Sequence, residues 1–93
     1  MKIQTFPSVW DAICDTPAEA ENMRLRADLM CDLIKIIQSR KLTQAEAAEA
    51  FGVTQPRVSD LMRGKIERFS LDALVNMAAS CGLHATIQLA KAA

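Results

Sequence analysis

Residues 43–64, TQAEAAEAFGVTQPRVSDLMRG, decide the fold of this 93-residue chain. The stretch predicts two short helices, 44–51 and about 55–63, because a capping threonine precedes each one and a glycine follows it. Thr54 is expected to cap the second helix. Gly52 suits the left-handed backbone that ends a helix, so the connection between the two helices is a tight turn.

The residues around this turn fit two helices that cross at a steep angle. Thr43 caps the first helix, and Glu46 completes a capping box with it. Small Ala48 lies four residues before Gly52, and apolar Val58 lies six residues after it. A steep crossing needs a small residue at the contact and an apolar anchor beneath the second helix. The pattern therefore predicts a helix-turn-helix whose second helix keeps its polar side chains outside.

Further helices are predicted on both sides of this pair. Thr16-Pro17-Ala18-Glu19 is a strong helix start, and the helix should run to about residue 40. This helix has two neighbouring apolar rows, which suggest burial on two sides. One row begins at Met23 and continues at every third or fourth residue, and the other consists of Leu25, Leu29, Leu33 and Ile36. Ser70 is expected to cap a last helix that covers 71 to about 81.

The C-terminal end has the pattern of a strand. In residues 84–89, HATIQL, apolar Ala85, Ile87 and Leu89 alternate with polar residues. A lone strand needs a second strand to pair with. The candidates are residues 2–6 of the same chain, a second subunit and another protein.

The length allows one domain, and 51% hydrophobic residues with only 4% aromatics favour helix. We expect a mostly α fold of four to five helices with a C-terminal β-strand. Residues 1–15 form an N-terminal segment, a turn or edge strand that could contact a partner. Residues 16–83 form the helix-turn-helix domain, and 84–93 form a dimerisation strand and tail.

The chain is neutral as a whole but unevenly charged. Residues 1–22 carry a net charge of −3 and residues 23–42 one of +3. This asymmetry suggests two faces with different partners, although a mixed solvated surface would give the same balance.

Enzymatic and metal-binding functions lack the residues they need. Cys14, Cys31 and Cys81 are far apart, and His84 is the only histidine. We expect no metal and no cofactor, with the thiols reduced and Cys31 and Cys81 acting as small core residues. The sequence has no spacing typical of a catalytic triad or a phosphate-binding loop. With no membrane span or secretion signal in view, a cytoplasmic location is expected.

Residues 42–83, LTQAEAAEAFGVTQPRVSDLMRGKIERFSLDALVNMAASCGL, and the ATIQL after them resemble the helix-turn-helix domains of the Xre family, the phage-repressor and Cro-like group. More closely, they resemble the small antitoxins of type II toxin–antitoxin modules, the Hig and Hip kinds. The resemblance covers about half of the chain well, and residues 16–40 loosely. It implies a repressor-like fold and a sequence-specific DNA-binding regulator located at the nucleoid.

The resemblance also implies which residues contact DNA. Gln55 matches a base-reading glutamine, which can bond adenine N6 and N7, and Arg57 can bond guanine O6 and N7 in the same way. Asp60 departs from a favourable pattern, because a carboxylate near phosphates needs a cytosine N4 donor or a pair with Arg57 or Arg63. The base-reading set is Gln55, Pro56, Arg57, Ser59 and Asp60. The phosphate-contacting set is Thr43, Gln44, Thr54, Arg63, Lys65 and Arg68.

The partners follow from the same resemblance. Regulators of this class bind palindromic double-stranded operators as homodimers, with half-sites about 34 Å or 10 bp apart. Residues 84–89 of two subunits could form the dimer ribbon through Ala85, Ile87 and Leu89. The acidic first 22 residues would suit a basic, RelE-like ribonuclease toxin. Two alternatives stay open, a stand-alone phage-type repressor without a toxin and a helical protein-binding adaptor without DNA contact.

Overall fold

A computed structural model describes residues 16–91 of the chain. The N-terminal segment 1–15, the edge strand predicted at 2–6 and the last two residues lie outside the described residues. Within the described part, the helices are α1 (Pro17–Ser39), α2 (Gln44–Phe51), α3 (Gln55–Met62) and α4 (Leu71–Ser80). A short 3-10 helix, Ile66–Arg68, lies between α3 and α4. The four predicted helices are confirmed, each with its end within one residue of the expected position.

The helix starts use the caps that the sequence indicates, with one exception. Thr16, Thr43 and Ser70 each accept a hydrogen bond from the backbone N–H three residues later. At α2 the capping box is complete, because the Thr43 backbone N–H also donates to the Glu46 carboxylate at 2.9 Å. These bonds satisfy donors that a helix start would otherwise leave without partners.

Thr54 is the exception, and the prediction that its side chain caps α3 is wrong. Thr54 occupies the cap position, but its hydroxyl accepts no cap hydrogen bond. The reason lies in the next three residues. Pro56 has no N–H to donate, and the Arg57 N–H donates instead to the Thr54 carbonyl at 3.1 Å.

The turn between α2 and α3 has the expected construction. Gly52 has φ 69°, the left-handed region that a glycine adopts without strain. Ala48 is buried on α2, and Val58 is fully buried under α3. The small residue and the apolar anchor that a steep crossing requires are therefore both in place.

One core holds the helices together. All four helices contribute to it, with α4 packed against both α1 and α2 and with α3 packed mainly against α2. From α3 it receives Val58 and Leu61, both fully buried. The largest fully buried side chains are Phe51, Phe69, Leu33, Leu61, Leu74, Met77 and Val58. Burial of a side chain of this kind contributes about 1.5–3 kcal/mol, so the orientation of α3 depends on its two apolar residues.

The predicted C-terminal strand is not found in the described residues. Residues 83–91 have no regular secondary structure, and Ile87 and Leu89 are exposed to 51% and 94%. A strand requires a hydrogen-bonded neighbour, and the described residues offer none. The strand and its pairing in a dimer stay predictions.

Of the two cysteines among the described residues, one belongs to the core as expected and one does not. Cys81 is half-buried and packs against the core, as predicted. Cys31 is exposed on α1, so the prediction of a core role for it is wrong. Its neighbour Met30 takes the buried position on that turn of the helix.

Candidate nucleic-acid interface

The outward side of α3 carries three of the predicted base-reading residues together. Val58 and Leu61 point into the core, which turns the opposite side of the helix to solvent. Gln55 and Pro56 are exposed there, and Ser59 is half-buried one turn further on. This side presents an amide, an apolar ring and a hydroxyl, which are groups that can contact base edges.

Arg57 lies on the flank of α3, between the core and the outward side. Its Nη1 donates to the Arg68 carbonyl at 2.8 Å. Its guanidinium carbon lies 4.2 Å from the centre of the Phe69 ring, a cation–π contact with a fully buried aromatic residue. The guanidinium is thus engaged within the domain, and guanine reading by Arg57 stays a prediction.

Asp60 lies on the same flank as Arg57, three residues further along α3. Arg68 Nη1 lies 3.2 Å from both carboxylate oxygens, and Lys65 Nζ lies 3.7 Å from Oδ1. The Asp60 side chain is only 16% exposed. Of the partners considered for Asp60, neither Arg57 nor Arg63 pairs with it, because its ion-pair partners come from the segment after α3.

Residues 63–69, which follow α3, form the exit turn. Gly64 has φ 69°, and it reverses the chain so that the Lys65 N–H donates to the Asp60 carbonyl at 3.1 Å. The chain then runs back beside α3. This reversal brings Lys65 and Arg68 to Asp60, and no local spacing rule for helix pairs foresees it.

The other predicted phosphate contacts lie at helix ends. Thr43 and Gln44 are exposed at the start of α2, and Thr54 is exposed at the start of α3. Helix starts carry partial positive charge and favour anions. Arg63 is exposed at the end of α3, and the described residues provide its side chain with no ion pair. All of these groups are accessible to a phosphate.

One acidic group beside these helix starts has an altered pKa. The Glu46 carboxylate accepts a hydrogen bond from the Thr43 backbone N–H at 2.9 Å, and this bond is the main cause that lowers the pKa of Glu46 below its ordinary value. Glu46 is therefore charged at neutral pH and occupies the Thr43 N–H. A phosphate at the start of α2 would contact the Thr43 hydroxyl and the Gln44 side chain.

Two residues of this candidate surface are not indicated by the sequence. The Phe69 ring lies under Arg57, and the Phe69 carbonyl accepts a bond from Arg26 Nη1 of α1 at 3.2 Å. Arg26 is 43 residues away along the chain. The one available signal was that Phe69 is the last aromatic residue of the sequence, placed next to an arginine.

Other kinds of site are not found among the described residues. Residues 16–91 contain no group of three or more His, Cys, Asp and Glu side chains that could hold a metal ion. None of the described helices combines the length and the apolar character that crossing a membrane demands.

The comparison with known protein families agrees with this geometry. A family model described as a helix-turn-helix domain matches residues 12–90, which include all four helices and the exit turn. No curated protein matches the chain with significant similarity.

Proposed function

The chain belongs to the helix-turn-helix domain family, and from this premise we propose that it is a sequence-specific DNA-binding transcriptional regulator. The observation that carries the proposal is the division of α3. Val58 and Leu61 fix the helix on the core, while Gln55, Pro56 and Ser59 share its accessible outward side. A rigid helix with accessible polar groups is what reading a major groove requires.

Each accessible group has a defined contribution in this proposal. With α3 in the major groove, Gln55 reads adenine through N6 and N7, Pro56 makes an apolar contact and Ser59 bonds a base edge. Thr43, Gln44, Thr54 and Arg63 contact phosphates on either side of the groove. The phosphate contacts set the position of α3, and the base contacts select the sequence.

The regulator is proposed to act as a homodimer on a palindromic operator. One helix of eight residues contacts few base pairs, and two copies related by a two-fold axis double the number. Residues 84–89 are the proposed dimer ribbon, because Ile87 and Leu89 are large apolar side chains left exposed in the structure. Pairing with a second copy would bury both.

The proposed cellular role is that of antitoxin and autorepressor in a type II toxin–antitoxin operon, in the cytoplasm at the nucleoid. This role is supported by the resemblance of residues 42–83 to Hig and Hip antitoxins. The acidic first 22 residues would bind a basic, RelE-like toxin. A pull-down that recovers no small basic protein encoded beside this gene would refute the antitoxin role and leave a stand-alone regulator.

A competition mobility shift tests DNA recognition. The purified protein is mixed with DNA from upstream of its own gene, with random duplex as competitor, at several salt concentrations. We expect a discrete complex that resists the competitor and weakens as salt rises, because phosphate contacts release counterions. Equal binding to random duplex would refute the proposal and favour a protein-binding adaptor.

A further inference from the structure

One flank of α3 is used within the domain. Arg57 and Asp60 are three residues apart, so they lie on the same side of the helix. Both contact the exit turn, Arg57 through the Arg68 carbonyl and the Phe69 ring, and Asp60 through Arg68 and Lys65. Neither lies with Gln55 on the outward side.

We propose that Arg57 and Asp60 are positioning residues that fix the exit turn for phosphate contact, and that they do not read bases. This inference rests on the proposed function, since it concerns how the same surface binds DNA. It assigns base selection to Gln55, Pro56 and Ser59.

The exit turn needs such support because it has little of its own. Phe69 is its only buried side chain among residues 63–69. Its cations Lys65 and Arg68 have long side chains, and ordering them costs conformational entropy. Contacts that hold them in place before DNA arrives reduce the cost of binding.

The observed contacts hold both the backbone and the side chains of the exit turn. Arg57 bonds the Arg68 carbonyl, and Arg26 of α1 bonds the Phe69 carbonyl, so two consecutive peptide groups are fixed by arginines from two helices. Asp60 holds the Arg68 guanidinium and the Lys65 ammonium on the α3 side. Two cations are thus kept adjacent. With Arg63 and the exposed Glu67 of the same turn included, three cations face two carboxylates, so a net charge of +1 is left for a phosphate.

Base reading would require both residues to abandon these contacts. A guanine is read by two parallel N–H groups of an extended guanidinium. Arg57 would have to leave the Phe69 ring and release the Arg68 carbonyl to present them. Asp60 would have to give up two cations to accept one cytosine amine beside a negatively charged backbone. Both exchanges oppose binding.

A full base-preference profile tests the inference. Affinity is measured for the operator and for every single-base variant of it, with wild type, Arg57→Ala and Arg57→Lys. We expect Arg57→Ala to weaken all sites by the same factor, about 2- to 10-fold, the equivalent of one hydrogen bond. The lysine keeps the charge but loses the planar contact with Phe69, so it should weaken all sites by a smaller uniform factor. A base-reading arginine would instead lose about 5- to 150-fold discrimination at one position, and that result overturns the inference.

A double-mutant cycle tests whether Arg57 acts through the exit turn. Arg68→Ala removes the cation but keeps the carbonyl that Arg57 bonds. We expect Arg57→Ala to cost much less affinity in the Arg68→Ala background than in the wild type, because one of the cations it positions is gone. Gln44→Ala, at the start of α2, serves as the matched control and should combine multiplicatively with Arg68→Ala.

The outcomes separate the two levels of the proposal. If Arg57→Ala and Arg68→Ala are fully independent, Arg57 does not position the exit turn, and the inference is wrong while DNA binding stands. If the wild type shows no preference for its operator over random duplex, the proposed function itself is wrong and the inference falls with it.

Discussion

Substitution of two threonines at helix starts distinguishes an effect on stability from an effect on DNA affinity. Thr43 and Thr54 occupy the same position, immediately before α2 and α3. The Thr43 hydroxyl accepts the Glu46 N–H at 3.1 Å, whereas the Thr54 hydroxyl accepts no cap bond. Both hydroxyls are proposed phosphate contacts. Replacing each by alanine should therefore change stability at one site only and DNA affinity at both.

The size of the stability change follows from the lost cap. Removal of a threonine cap costs about 1 kcal/mol, within a range of about 0.5–2 kcal/mol. For a domain of this size, 1 kcal/mol lowers the midpoint of thermal unfolding by about 4–8 °C. Thr43→Ala should show this shift. Thr54→Ala should change the free energy of unfolding by no more than about 0.5 kcal/mol, the usual range for a surface substitution.

The effect on DNA should be of similar size for the two variants. Each loses one neutral hydrogen bond to a phosphate, which corresponds to about 2- to 10-fold weaker binding to every sequence. Thermal unfolding followed by circular dichroism and DNA binding followed by fluorescence anisotropy measure the two quantities. The reasoning is refuted if Thr54→Ala destabilises the domain as much as Thr43→Ala, or if Thr54→Ala leaves DNA affinity unchanged.

Three further predictions concern the core, the capping box and the dimer. Val58→Ala should cost about 1–3 kcal/mol of unfolding free energy, because it leaves a cavity under α3, whereas exposed Met62→Ala should cost little in urea denaturation; equal costs would contradict the anchor role. The folded-state pKa of Glu46 is depressed, so its stabilisation is present above the ordinary glutamate pKa and is lost as pH falls through the depressed value. Glu46→Gln should make unfolding less sensitive to pH in that acidic range, and an unchanged acid profile would argue against the capping box. Ile87→Asp should yield monomers in light scattering while Thr86→Asp, on the opposite side of the proposed ribbon, should not; a dimeric Ile87 variant would place the interface elsewhere.

The parts of the fold that depend on neighbouring residues were predictable. The caps at Thr16, Thr43 and Ser70 act over three residues, so the sequence displays both partners of each bond. Gly52 indicates the turn and Val58 indicates the apolar anchor, because both lie within a few residues of the elements they define. Thr54 shows the limit of such rules. Pro56 has no N–H to donate to the Thr54 hydroxyl, and the Arg57 N–H donates to the Thr54 carbonyl.

The contacts that form because the exit turn folds back along α3 were not predictable from the sequence. Asp60 pairs with Lys65 and Arg68 because the exit turn folds back along α3, and Arg57 finds Phe69 for the same reason. A helical wheel places Arg57 on the flank of α3, one turn before Leu61, and does not show what lies beside it. The sequence therefore does not display the contacts on which the positioning role proposed for Arg57 and Asp60 rests.

The most direct test of the central claim is a selection of binding sites from random duplex DNA. Wild type, Gln55→Ala and Gln44→Ala are compared, because each variant removes one exposed glutamine from the first position of a helix. If α3 reads the major groove, the wild type selects a palindrome, Gln55→Ala loses the preference at one base pair of each half-site, and Gln44→Ala selects the same palindrome with weaker binding. If Gln55→Ala selects the same sequence as the wild type with unchanged preference at every position, α3 is not the reading helix.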